Sequence, residues 1–150
     1  MASVEGVIDA IDRIIDYFNK RKLDLPDGFF DRRAQFVING AAFETLLGRS
    51  PDDPLILMLA RGPAGFRFTA KALQHAIPDA KIERGEIAGG DPTTIAMQLW
   101  LSGNLRGTGE AVNAVVPVTL KLAPAGHVEV AEATIDTVVL EKIRDARLRP

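Results

Sequence analysis

The side chains able to do chemistry are few, and they lie far apart along the chain. Glu132 and Asp136 flank the end of the last strand-like run. A carboxylate there that faced an apolar interior would act as a general base on a carbonyl compound. Glu132 meets that condition only if a bulge turns it inward, and Asp136 has a competing use as the cap of a closing helix. Asn39 precedes Gly40. Such a pair commonly makes a turn, because both residues tolerate positive φ; an asparagine can equally orient a ligand carbonyl or hydroxyl.

His75 and His127 are the only histidines. His75 follows Gln74 in a strand-like run and His127 follows Ala125-Gly126 in a turn, so neither belongs to a metal-ligand spacing. With no cysteine and no HExxH-type pair, neither a metal nor a cofactor is expected. The serines are Ser3, Ser50 and Ser102, and none stands in a strand-turn-helix elbow, which argues against a hydrolytic triad. Gly103 to Gly109 has the look of a phosphate loop, yet a strand-like run follows it where a phosphate cradle needs a helix, so it reads as a hairpin turn.

The chain that must position these groups has 150 residues, which suits one domain over 1–150 with a substantial core. Apolar residues make up 47% and charged residues 25%, and the net charge is -2. There is no global basic field to hold nucleic acid or an anionic membrane, and neither partner is expected. Arg144, Arg147 and Arg149 form either a local basic patch or the solvated end of a last helix, where cations suit the dipole. The absence of cysteine excludes disulfides and thiolate nucleophiles. Met1 to Gly6 shows no basic region leading into an apolar run, and the longest purely apolar stretch, Leu55 to Ala60, is too short for a bilayer. A cytoplasmic location is the expectation.

Val4, Val7, Ile8, Ile11, Ile14, Ile15 and Phe18 recur at spacings of three and four, which predicts a first helix over roughly 4–21, with the lone tyrosine, Tyr17, at the edge of its stripe. A short second helix is expected at Leu25 to Asp31 and a strand at Ala34 to Asn39. Ser50-Pro51-Asp52-Asp53 reads as a capped helix start leading into Leu55–Ala60, an all-apolar helix that would stop at Gly62-Pro63 and sit inside the sheet's concavity. From Phe66 the period changes to two. Strands are expected at Phe66 to Ile77, Lys81 to Ala88, Thr93 to Leu105, Val112 to Ala123 and Val128 to Ile135, joined by tight turns into an antiparallel meander, with a closing helix from Asp136 to Arg147.

Two of these strands carry apolar residues on both faces. Val112, Ala114, Val116, Val118, Leu120 and Leu122 share one face, while Val115 and Pro117 interrupt the polar one; Trp100 stands among Ala96, Gln98 and Ser102 on the outer side of its strand. A second apolar face needs a cover, and a homodimer through the outer sheet face is expected.

Phe29-Phe30, Ala34, Phe36 and the turn at Asn39-Gly40 in DRRAQFVING, followed by LWLSGNLRGTG, VPVTLKL and PAGHVEVAEATID, resemble the nuclear transport factor 2-like superfamily, and the last three segments are similar to the final strands of SnoaL-like members. The resemblance covers nearly the whole chain. It implies an α+β fold in which a cone-shaped, curved antiparallel sheet wraps around N-terminal helices. That superfamily includes ketosteroid isomerases, SnoaL-like polyketide cyclases, limonene epoxide hydrolases, dioxygenase small subunits and members that only bind or scaffold, so the chemistry must come from residues.

The resemblance places the isomerase base at Asn39, which cannot take a proton, and the oxyanion acid near Ala114 to Val116, where only apolar side chains stand; Tyr17 falls near the isomerase tyrosine. An epoxide hydrolase-like Asp-Arg-Asp set would fall at Met97 and Leu99 and near Ala131, Glu132 and Ala133, with Asn39 matching a water-positioning asparagine. What remains is a container. Ile14, Phe18, Phe36, Met58, Met97, Leu99, Val116 and Val118 would wall it, and Tyr17, Asn39, Trp100 and Glu132 would be its polar contacts. The expected function is binding of a small hydrophobic molecule, with SnoaL-like or isomerase-like acid–base catalysis by Glu132 or Asp136 as its enzymatic form. The alternative is a non-catalytic dimeric binding or scaffold module with a filled barrel.

Overall fold

The structure, a computed structural model, describes residues 4–26, 28–42, 61–91, 93–124 and 126–147. The expected helix beginning at Ser50, with Leu55–Ala60 and Met58, lies outside them. Numbered in chain order, the described elements are α1 (Val4–Asn19), β1 (Phe30–Ile38), β2 (Ala41–Ala42), α2 (Gly62–Ala76), β3 (Lys81–Asp91), β4 (Thr94–Asn104), β5 (Ala111–Leu122), β6 (Val128–Ala133) and α3 (Thr137–Arg147). The strands form one curved, open sheet in the order β2-β1-β6-β5-β4-β3. Among the described residues no helix is long and apolar enough to cross a membrane.

Helix α1 buries the stripe that its spacing predicts: Val7, Ile11, Ile14 and Phe18 are all inside. It packs on β3, held by Arg84, whose Nε lies 2.6 Å from Asp12 Oδ1, and by Asn19, whose side chain donates to Ile82 O at 2.9 Å and accepts from Ile82 N at 2.8 Å. The Asn19 amide thus pairs with the exposed edge of β3 as a further strand would, which protects an edge that could otherwise pair with another chain.

Two expected elements differ. Leu25 to Asp31 is not helical over its described residues: Pro26 biases Leu25 to an extended backbone, Gly28 adopts φ 73°, and Phe30 already belongs to β1. Phe66 to Ile77 is helix, not strand. Helix α2 begins at Gly62, where an earlier helix was expected to stop, with Pro63 in its first turn. Phe66, Ala70, Leu73 and Ile77 recur at four, three and four, and this stripe together with helix formers such as Ala, Lys, Leu and Gln outweighs the short alternating reading. Ile77 is fully buried, and Arg106 closes the helix end by donating from Nε to His75 O at 2.7 Å and from its backbone N–H to Ala76 O at 2.8 Å. His75 therefore sits in the last turn of a helix.

The meander from β3 to β6 is antiparallel throughout, and so is β1 with β2. The β1–β6 pair is parallel, with Phe36 opposite Ala131 and Ile38 opposite Ala133. Gly103 to Gly109 forms the expected hairpin turn: Leu105 N–H donates to Glu110 O at 2.8 Å, and Gly107 and Gly109 both take positive φ.

Candidate functional site

Alternation along the strands decides which side chains meet inside the curve. Met97, Leu99 and Leu101 on β4, Val116, Val118 and Leu120 on β5, and Ala131 and Ala133 on β6 all face the same way. Ile11, Ile14, Ile15 and Phe18 of α1 close one side, and Thr69, Ala72 and Leu73 of α2 with Leu140, Ile143 and Arg144 of α3 close another. Phe30 anchors an aromatic group at the base: its ring centroid lies 4.8 Å from Phe29, 5.3 Å from Phe36 and 5.5 Å from Phe66. The contacts with Phe29 and Phe36 are edge-to-face and that with Phe66 is tilted; such contacts fix ring orientation as well as filling space. Among the described residues these elements surround a cavity of about 380 Å³, in which every lining side chain except Thr69 and Arg144 is apolar.

Met97, Leu99 and Val116, expected in the wall, are in it, as are Ile14, Phe18, Phe36 and Val118. The polar candidates are elsewhere. Glu132 alternates with the inward Ala131 and Ala133, so it faces the outer side of the sheet, where its carboxylate is 3.2 Å from Lys121 Nζ. No bulge in β6 turns it round at that point; it stays in register opposite Thr119. Asp136 caps α3, its Oδ1 accepting from Val138 N at 2.9 Å and Val139 N at 3.2 Å. Neither acid is brought to the cavity. Among the described residues no carboxylate lines it.

Asn39 takes the turn conformation, φ 52°, and its Oδ1 accepts from Ile135 N at 2.8 Å. Its side chain thereby tightens the link between β6 and α3 at the rim of the cavity and does not line it. Tyr17 is half-buried and is not part of the wall either. Trp100 lies on the outer face of β4, 46% exposed, directly opposite Val115 of β5, which is 51% exposed. Met58 lies outside the described residues. His127 contacts Gly28 O through Nδ1, far along the chain from His75, and no group of three His, Cys, Asp or Glu able to hold a metal occurs among the described residues.

The wall contributed by α2 and α3 was not legible as such. Thr69, Ala72 and Leu73 fall in a segment whose alternation predicts a strand, and in sequence Arg144 stands out only as part of the basic end of the chain. The spacing Phe66, Ala70, Leu73, Ile77 carried the signal for α2. Nothing local indicated that α3 would fold back against α2.

No protein-family model matches the sequence, and neither does any curated protein. Solved structures do match in shape. A SnoaL-like polyketide cyclase from Jannaschia sp. CCS1, itself described as putative, superposes with a TM-score of 0.66 at 12% identity, over 99% of this chain and 96% of that one. The epoxide hydrolase/cyclase-like enzyme SalBIII, described in pyran ring formation in the polyether salinomycin, gives 0.63 at 16% identity over 92% and 96%. A nuclear transport factor 2-like protein of unknown function from Exiguobacterium sp. 255-15 gives 0.59 at 14% over 85% and 98%. At these identities the likeness concerns the path of the backbone: a curved open sheet with helices closing its concave side. This chain has the nuclear transport factor 2-like α+β fold.

Proposed function

We propose that the protein binds a small, mainly hydrophobic molecule in the cavity between the sheet and its helices. The observation that carries this reading is the cavity's size together with its lining: about 380 Å³ with apolar walls lies within the range of about 300–1,000 Å³ typical of small-molecule sites. Several neighbours in shape are described as polyketide cyclases or as epoxide hydrolase-like proteins, which supports a ligand of apolar, polyketide-like character. In the enzymatic form of this reading, catalysis consists of folding a flexible substrate against shaped apolar walls, since Glu132 and Asp136 are engaged elsewhere.

The molecule works as a homodimer through the outer sheet face in this proposal. Trp100 and Val115 stand side by side there with about half of each exposed, an arrangement favoured when another surface covers it.

Thermal unfolding against a panel of apolar ketones, lactones, epoxides and steroids tests the binding reading. A ligand that occupies the cavity raises the midpoint progressively with its concentration by mass action. A flat response across the panel, with native mass spectrometry finding no co-purified molecule, would leave the filled, non-catalytic module as the reading.

A further inference from the structure

Arg144 is the one lining side chain that bears a charge among the described residues, and this sets the class of molecule the cavity suits. It lies in the last turn of α3, one turn beyond Leu140 and next to Ile143, both of which line the same space. Thr69, the other polar group in the wall, stands on α2, the helix against which α3 packs. The Thr69 hydroxyl donates to Gly65 O at 2.8 Å, so its proton is committed within its own helix. Arg144 is therefore the wall's one available hydrogen-bond donor side chain among the described residues.

No ion pair or hydrogen bond engages Arg144 among the described residues, whereas other basic side chains nearby in sequence or in the sheet have partners: Lys142 meets Glu110 at 2.7 Å, and Lys121 meets Glu132 at 3.2 Å. An arginine on an apolar wall lays its methylene stem along that wall and carries the guanidinium to the wet rim. There it presents a planar fork of donors that matches a carboxylate in a bidentate manner.

We propose that the ligand is an amphipathic monoanion, an apolar body with one carboxylate, whose head is held by Arg144 at the α2–α3 rim while its body lies among Phe30, Phe36, Met97 and Val116. This rests on the binding reading above and narrows it. The charge complementarity is one-sided: a carboxylate is favoured at this rim, and an ammonium head would meet a like charge.

Titration calorimetry with decanoate and with decan-1-ol separates the two readings. Arg144→Met keeps the unbranched stem and helix propensity while removing the charge, and Arg144→Lys keeps the charge without the fork. The wild type is expected to bind decanoate about tenfold more tightly than Arg144→Met does, as befits a charge-assisted bond that stays partly in water. Decan-1-ol should bind both proteins equally, and Arg144→Lys should fall between them for decanoate. Equal decanoate affinity in wild type and Arg144→Met, with decan-1-ol still bound, overturns the anion proposal and leaves the apolar cavity standing. Binding of neither probe to the wild type overturns both.

Discussion

Asn39 and Ile135 are joined across the rim of the sheet: Asn39 Oδ1 accepts a 2.8 Å hydrogen bond from the Ile135 backbone N–H, while the Asn39 N–H donates to Ala133 O at 2.9 Å. Asn39 is thus occupied in fixing the exit of β6 toward α3. Asn39→Ala loses the side-chain acceptor and places a β-carbon residue without a local hydrogen bond at φ 52°, at a cost of about 1–2 kcal/mol. Asn39→Asp keeps the acceptor and should lie close to wild type. Denaturant midpoints of the three proteins test this; equal stability of the alanine and aspartate variants would deny the bond its role.

Gly62 opens α2 at φ +63°, and a β-carbon there would stand 2.4 Å from Arg32 O on β1. Both strain and collision oppose any side chain, so Gly62→Ala should destabilise by at least about 2 kcal/mol. Gly40 provides the internal comparison. It has φ +79° with nothing within 4 Å of a built β-carbon, so Gly40→Ala should cost only about 1 kcal/mol. Urea unfolding of the pair reads the difference, and equal costs would mean that close packing of α2 on β1 does not constrain Gly62.

The contrast between these glycines marks where the sequence was readable. Local periodicity sufficed for α1, for β3 to β6 within a few residues, and for the Asp136 cap of α3. It misled at 66–77, where a short alternating pattern overlaps a longer helical one; the helical stripe wins, and Ala70, Ala76 and Ile77 are buried along it. The parallel β1–β6 pairing joins residues 95 or more apart in the chain, so no local pattern encodes it. For the cavity, the strand-borne wall followed from alternation. The inward or outward direction of Glu132 turned on a register that sequence leaves open, and Arg144 became part of the wall only through packing of one helix on another.

Arg84 clasps Asp12 through two nitrogens, Nε at 2.6 Å and Nη2 at 3.1 Å, and also donates from Nη1 to Gly85 O at 3.0 Å. The hydrogen bond to Asp12 chiefly, and its negative charge in addition, hold the guanidinium's pKa above the ordinary arginine value against the opposing effect of partial burial. A folded-state value raised in this way gives stability that is fully present below the unfolded pKa and lost only as pH rises through the folded one. The Arg84 contribution should therefore stay constant through neutral and mildly alkaline pH. Because the Asp12 side chain is 47% exposed, Arg84→Met should cost no more than about 1 kcal/mol. A cost that shrinks steadily between neutral and mildly alkaline pH would contradict this assignment.

Trp100 and Val115 are cross-strand neighbours on the outer face, and the Trp100 ring lies close to Gly85 on β3, with Cη2 3.8 Å from where a β-carbon would be. If a second copy covers this patch, Val115→Glu brings a carboxylate into the covered area and should shift sedimentation from dimer to monomer, with unchanged circular dichroism. A wild type that sediments as a monomer at every concentration ends the dimer proposal.

Ala133 faces the cavity, opposite Ile38 on one neighbouring strand and Val118 on the other. Replacing it by leucine distinguishes an open cavity from a filled barrel through the sign of the stability change. If the space is open, the added methylenes are buried without displacing anything, and each contributes up to about 0.8 kcal/mol. Ala133→Leu should then match or exceed wild type in stability while losing the rise in midpoint that an apolar ligand produces. If the interior is already filled, the same substitution overpacks it and costs about 1–3 kcal/mol. Denaturant unfolding with and without decan-1-ol reads both effects in one series. Destabilisation without ligand would assign these side chains to a close-packed core.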